Sequence, residues 1–340
     1  MAESEPCRSG AASTVALAFA FGAVALWATN ALVGKTLLAN HPVSHVQFLQ
    51  FCGAALVFAL IRLAGASPFP LVGEGGLAKR GRMRGAERIA DAGVSSNTPH
   101  PSRRCAPIHL LPQREKGRST LAYAVGFIGL VGTMMLQYIA FASMPVIEAN
   151  LVAYTWPLMV AAAIILLGRP KRPLLLGLTA ALGFAGVALV ISGGRAHAWL
   201  EGSLVGYCAA FGSALCMAFY SLAVGRLAVP PDRLLLPSAL IGVTLTFAWC
   251  LRDGVAGLGG MYLLFGLYLG AGPMGLGYYF WSRALSLDQG GRLAVVAYLT
   301  PIASTLLLAL SGESLSMTAV AGAVLVIGSC IAVGIERPEA

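Results

Sequence analysis

The chain has 340 residues, of which 57% are apolar and 11% charged, with a mean hydropathy of +0.77. A soluble domain carries about 25% charged residues, so this composition excludes one and points to a polytopic membrane protein. The formal charge of +9 does not argue for a nucleic-acid partner, because ten Lys/Arg and only four Asp/Glu fall in one stretch, Ser67 to Ser119.

Crossing a hydrocarbon core takes about 20 consecutive apolar residues. Apolar runs separated by polar breaks predict ten spans: 14–37, 43–64, 121–143, 146–167, 173–193, 203–226, 233–251, 261–284, 292–311 and 317–335. The polar Met1–Gly10 segment precedes the first, which lacks a cleavage-site pattern and is read as a retained span. Span one carries Trp27 and Asn30 in its middle and ends on Gly34-Lys35. Span three carries Gln137 and Tyr138. Span four carries Glu148 about one turn from its start, then Asn150, Tyr154 and Pro157 at i, i+4, i+7 spacing, with Trp156 beside them. Tyr220 lies in span six, ahead of Gly225-Arg226. Tyr278 and Trp281 lie in span eight, and Arg292, Tyr298 and Pro301 in span nine.

The stretch 67–119 is rich in Gly, Pro, Ser and Arg and has no sustained apolar period. It is expected to be a basic, disordered cytoplasmic insert. A lipid- or partner-binding role and a sequence artefact are the alternatives.

The phrase Val-Ala-Tyr-Thr-Trp-Pro (152–157) returns as Val-Ala-Tyr-Leu-Thr-Pro (296–301), 144 residues later. The same offset relates Ala140 to Ala284 and Gly168 to Gly312. An internal repeat in an apolar chain implies two like halves with a site between them. Basic residues set the orientation. With the N-terminus cytoplasmic, twenty of the 23 Lys/Arg lie on the inner side and only Lys35, Arg195 and Arg252 outside. Five spans per half invert the second half relative to the first. The expected fold is therefore all-α, ten transmembrane helices in two inverted five-helix repeats with both termini cytoplasmic. The first repeat takes 1–66 (helices 1–2) and 120–195 (helices 3–5), and the second takes 202–336 (helices 6–10).

Embedded polar groups are costly and mark candidate sites. Trp27, Asn30, Gln137, Tyr138, Asn150, Tyr154, Trp156, Tyr220, Tyr278, Trp281 and Tyr298 are the candidate lining of a cavity suited to an amphipathic solute. Lys35, Glu148, Arg226 and Arg292 are candidate gating or mouth charges, and Pro157 and Pro301 candidate hinges at matched positions. The same features also suit interfacial aromatics, snorkelling cations and packing kinks. The scattered cysteines, with no CxxC pair, and the His residues form neither a metal set nor a catalytic constellation. No catalytic residue, metal or cofactor is expected.

The segment 26–35, Leu-Trp-Ala-Thr-Asn-Ala-Leu-Val-Gly-Lys, resembles the first span of EamA-type carriers of the drug/metabolite transporter superfamily. Asn150 to Leu158 resembles the fourth span of members with a Tyr-x-Trp-Pro-Leu signature, a variant that includes the aromatic amino-acid exporter branch. Ala297 to Pro301, followed by Gly312-Glu313-Ser314, resembles the ninth span and its turn. Gly168-Arg169-Pro170 departs from the Gly-Glu often found there, and the 67–119 insert is not a family feature. The resemblance implies a ten-helix basket with a central substrate cavity and no enzymatic activity. It also implies residence in the cytoplasmic (inner) membrane. The expected function is export of small metabolites, amino acids or related amphipathic solutes, by alternating access. A sugar, nucleoside or drug permease and a non-transporting membrane scaffold are the alternatives. The expected partners are a small-molecule substrate and the lipid bilayer; oligomeric state is not legible.

Overall fold

In a bilayer, every backbone N–H and C=O must be paired within the protein, so uncharged apolar runs of Ala, Leu, Val and Gly fold as helices. The computed structural model describes residues 6–66, 113–168, 172–192, 203–227, 229–254, 259–287, 293–310 and 316–335. Among these, all regular elements are helices. The first rod consists of α1 (Pro6–Trp27) and α2 (Asn30–Leu38), broken at Ala28–Thr29, where the Thr29 hydroxyl donates to the Leu26 carbonyl at 2.8 Å. The second is α3 (Val43–Ala66). The third joins α4 (Gln113–Gly126) to α5 (Thr133–Ser143) through a π-helical turn, Phe127–Gly132. The fourth is split into α6 (Val146–Ala153) and α7 (Trp156–Ala163), with a π-helical end at Ile164–Gly168. Then come α8 (Pro173–Ser192), α9 (Leu204–Val224) and α10 (Pro231–Asp253). A further rod runs through α11 (Gly260–Leu269), a π-helical segment Gly270–Leu276 and α12 (Gly277–Leu287). Short α13 (Leu293–Val296), α14 (Leu299–Leu310) and α15 (Met317–Ile335) complete the described chain.

Seven rods are long and apolar enough to cross a membrane: Thr14–Leu38, Val43–Ala64, Thr120–Ser143, Val146–Leu167, Pro173–Ser192, Leu204–Val224 and Arg233–Asp253. Their ends fall within a few residues of the expected runs. Leu293–Leu307 and Met317–Ala332 are shorter apolar helices. The outer faces of the rods are apolar: Leu166, Leu174, Leu204 and Met317 are each more than 75% exposed. In water such a surface would aggregate; against lipid it costs nothing.

Packing between rods relies on glycine, as expected where dispersion rather than water exclusion holds helices together. α3 lies along α10 and the Gly270–Leu276 segment, and α8 lies along α15. A Cβ on Gly53 would come within 2.5 Å of the Leu267 carbonyl oxygen, and one on Gly186 within 2.7 Å of the Gly322 oxygen. The backbones touch there. α5 packs on α9, and α1 on α12.

Two helix ends differ from expectation. α4 begins at Gln113, seven residues inside the stretch predicted to be irregular. Gln113, Arg114, Glu115 and Lys116 are all good helix formers and extend span three without needing to be apolar. α1 likewise starts at Pro6, a residue preorganised for the first helical turn. The expected insert over 67–112, the Gly312-Glu313-Ser314 turn and the extreme termini lie outside the described residues.

Candidate functional site

Residues flanking the breaks in the first and fourth rods, and residues just after two of the π-helical turns, line one cavity. Its wall is formed by Trp27, Asn30 and Ala31 from the first rod, and Thr133, Met134 and Gln137 from α5. Asn150, Ala153, Tyr154 and Trp156 come from the split fourth rod. Ser213, Ala214 and Met217 of α9, Tyr278 of α12 and Ala297 complete it. The free space is about 630 Å³, part of it continuous with the exterior. Among the described residues, no charged side chain lines it. The chemistry on offer is aromatic surface, three primary amides and a few hydroxyls.

The aromatic residues are held in a chain of ring contacts. The Trp27 ring meets Tyr278 edge-on at a centroid distance of 5.9 Å and Trp281 at 5.4 Å, and Trp156 meets Trp281 edge-on at 5.6 Å. These are preferred aromatic geometries. The Trp27 indole N–H donates to the Pro273 carbonyl at 3.0 Å, which ties the first rod to the irregular turn of the Gly270–Leu276 segment. Gly277 makes this possible, since a Cβ there would lie 2.7 Å from Trp27 Nε1.

Of the sequence-predicted lining, Trp27, Asn30, Gln137, Asn150, Tyr154, Trp156 and Tyr278 reach the cavity. Tyr138, Tyr220, Trp281 and Tyr298 do not. They are fully buried behind the wall, and helical spacing could not distinguish the two layers. Trp281 backs Trp27 and Trp156 and donates its indole N–H to Ser221 Oγ at 3.2 Å. The Tyr220 hydroxyl pairs with Ser282 Oγ, and the Tyr138 hydroxyl lies between Gln50 and Asn30. Tyr298 packs among Val187, Val295 and Val326, with the Leu158 backbone beside its hydroxyl.

The mouth charges are also revised. Glu148 is buried at 5% exposure and accepts a hydrogen bond from the Tyr207 hydroxyl of α9. It is a cross-link between α6 and α9 rather than an open rim, because α9 packs directly over the first turn of α6. Lys35 and Arg226 are exposed at rod ends, away from the cavity wall. Arg292 lies outside the described residues. Pro157 and Pro301 are not in mid-helix. Each sits in the first turn of a new helical segment, α7 and α14, just after a break at 154–155 and 297–298. A proline there gives up no helical hydrogen bond.

A family model described as the EamA-like transporter family matches residues 204–335. The aromatic amino acid exporter YddG of Ancylobacter novellus is 31% identical over 220 residues, which is 62% of this chain and 75% of that protein. The chain belongs to the EamA-like transporter family. A crystal structure of a protein 24% identical aligns over 95% of this chain and 99% of its own, with a TM-score of 0.71, so the fold is shared.

As an EamA-like protein the chain is a multi-pass membrane transporter and not an enzyme. Several residues at its cavity escaped the sequence reading. Thr133 and Ser213 were overlooked because short hydroxyl residues in a helix usually bond back to their own backbone. Ser213 instead donates to the Thr133 carbonyl across the α5–α9 contact at 3.0 Å, and the Thr133 hydroxyl is buried without a partner. Gln47 and Gln50 were also missed. Their signal was present: two glutamines three residues apart on one face of an apolar span. Among the described residues, Cys52, Cys208, Cys216, Cys250 and Cys330 are free, and no His/Cys/Asp/Glu group could hold a metal.

Proposed function

We propose that this chain exports aromatic amino acids or related amphipathic metabolites across the cytoplasmic membrane, by alternating access between two inverted five-helix halves. The observation that carries the reading is the cavity itself. Trp27, Tyr154, Trp156 and Tyr278 offer ring surface, and Asn30, Gln137 and Asn150 offer amides, with no charge among the described residues of the wall. An aromatic amino acid needs stacking surface for its ring and neutral hydrogen-bonding groups for its zwitterionic end. The likeness to an aromatic amino acid exporter supports the same substrate class. A sugar or nucleoside permease would be better served by more polar lining than this wall provides.

Ten spans are supported by the seven long rods together with Gly260–Leu287 and the two shorter apolar helices. Gly260–Leu287 is long, but its glycines, tyrosines and tryptophan dilute its hydropathy. The inverted repeat gains support from packing. If spans one to five correspond to six to ten, the α3–α10 and α8–α15 contacts each map onto themselves. The α5–α9 contact then maps onto the α12–α1 contact, and all four are present. The π-helical segments in spans three and eight end at Gly132 and Leu276, separated by the same 144 residues as the repeated motif. Within this scheme 1–66 and 120–195 form the first half, 202–336 form the second, and 67–119 is a basic insert on the cytoplasmic side.

The test is transport by purified protein in proteoliposomes. Saturable flux of labelled L-phenylalanine or L-tryptophan, competed by the unlabelled amino acid and not by glucose or uridine, is the expected outcome. Flux of uridine or glucose without flux of either amino acid would replace the substrate class.

A further inference from the structure

Behind Asn30 lies a buried chain of hydrogen bonds that crosses three helices. Gln47 and Gln50 of α3 and Tyr138 of α5 have no exposed surface. Gln47 Nε2 donates to Gln50 Oε1, Gln50 Nε2 donates to the Tyr138 hydroxyl at 2.6 Å, and that hydroxyl donates to Asn30 Oδ1 at 3.1 Å. Gly34 gives the Tyr138 hydroxyl its place, since a Cβ at Gly34 would lie 2.8 Å from it.

Such a chain has a direction. An amide has one acceptor end and one donor end, and a hydroxyl has one proton, so Tyr138 can both accept and donate within the chain only when the amides on its two sides point the same way. The reverse direction requires every amide to turn over. In the direction present, the only group left unpaired in the chain is the Gln47 carbonyl oxygen, Oε1. Reversal would put the Gln47 amino group, with its N–H bonds, in that same partnerless place. A buried carbonyl short of a partner is tolerated more often than an orphaned N–H. The direction present is therefore the favoured one; it occupies the carbonyl of Asn30, a residue of the cavity wall, from behind.

We propose that Gln50 and Tyr138 are positioning residues that hold Asn30 as a hydrogen-bond donor, making it the seat of the substrate's carboxylate. The inference rests on the amino-acid reading above and deepens it. Among the described residues the wall holds no cation, so a carboxylate there is met by neutral N–H groups, and Asn30 is the amide whose orientation is enforced from behind. The substrate's ammonium then faces the aromatic side of the cavity, where Trp27 and Trp156 offer ring faces.

The test uses the purified full chain and three probes: L-phenylalanine, 3-phenylpropionate, which lacks the amine, and phenethylamine, which lacks the carboxylate. Affinities are read from ligand-induced thermal stabilisation, which follows mass action. Tyr138→Phe keeps the ring and removes the bond to Asn30. It is expected to weaken 3-phenylpropionate roughly tenfold, the equivalent of one charge-assisted hydrogen bond, and to leave phenethylamine within about twofold. Asn30→Ala, altered at the cavity wall, should give the same selective loss even if Tyr138→Phe fails to fold. Selective loss of phenethylamine would mean that the chain runs the other way and would overturn the proposal. Equal loss of both probes, or no loss, would also overturn it by making Tyr138 merely structural. If none of the three probes stabilises the unaltered chain, the amino-acid reading fails and this inference falls with it, a result distinct from the other three.

Discussion

Tyr154 and Tyr298 are the same residue of a repeated motif, each three residues before a proline, yet they live in different surroundings. Tyr154 is half-buried and lines the cavity. Tyr298 is fully buried in a small apolar cluster with Val187, Val295 and Val326, and Tyr154 itself packs against that cluster from the cavity side. Their neighbours diverge in the same sense. Asn150 and Trp156, both in the wall, have Ala294 and Thr300 as their counterparts. The first copy of the motif brings Tyr154 and Trp156 to the cavity, whereas the second brings Ala297 and buries Tyr298. A duplicated scaffold need be symmetric only in its backbone; its side chains are free to specialise.

Four substitutions would break or sharpen this comparison. Tyr298→Ala carries the largest effect, because it opens a cavity in a packed cluster. It should cost about 3–5 kcal/mol, read as a large fall in melting temperature and loss of folded protein. Gly183→Ala attacks the same layer. Its Cβ would lie 2.6 Å from Tyr298 Cδ2 and 2.8 Å from Ser329 Oγ, an overpacking worth about 1–3 kcal/mol in the same melting assay. Tyr154→Ala should leave the folded yield and melting temperature close to those of the unaltered chain while cutting amino-acid flux about tenfold, the worth of one aromatic contact. If it instead unfolds the chain as Tyr298→Ala does, the distinction between wall and backing layer is lost. Tyr298→Phe is the smallest. The hydroxyl is buried with no close hydrogen bond among the described residues, only the Leu158 backbone beside it, so removing it should change stability by no more than about 1 kcal/mol; a larger loss would make the Leu158 contact a full hydrogen bond.

The site was partly legible in the chain. Trp27, Asn30, Asn150, Tyr154 and Trp156 stood out because large or amide-bearing residues in the middle of apolar runs are expensive unless something meets them. Trp281, Tyr220 and Tyr138 stood out for the same reason and were placed in the wall, yet each satisfies its polar atom behind it, with Ser221, Ser282 and the Gln50–Asn30 pair. A helical repeat gives the angle of a side chain about its own axis. It does not say which neighbour stands at that angle. Glu148 shows the same limit. It was identified as the embedded carboxylate, but that Tyr207 of α9 would cover it could not be read from either segment alone.

Sequence alone determined the class of molecule, the apolar extent of the long helices, the repeat at 144 residues and the family, because bilayer thickness and backbone hydrogen bonding leave an uncharged run of about 20 residues one outcome. Tertiary structure decided which face of each helix meets the cavity, where Pro157 and Pro301 sit relative to the breaks, and in which direction the Gln47–Gln50–Tyr138–Asn30 chain runs. Those outcomes depend on contacts between residues far apart in the chain, 108 positions for Asn30 and Tyr138 and 246 for Trp27 and Pro273. Such contacts are set by how glycine-lined helices pack, and no local pattern in the chain encodes them.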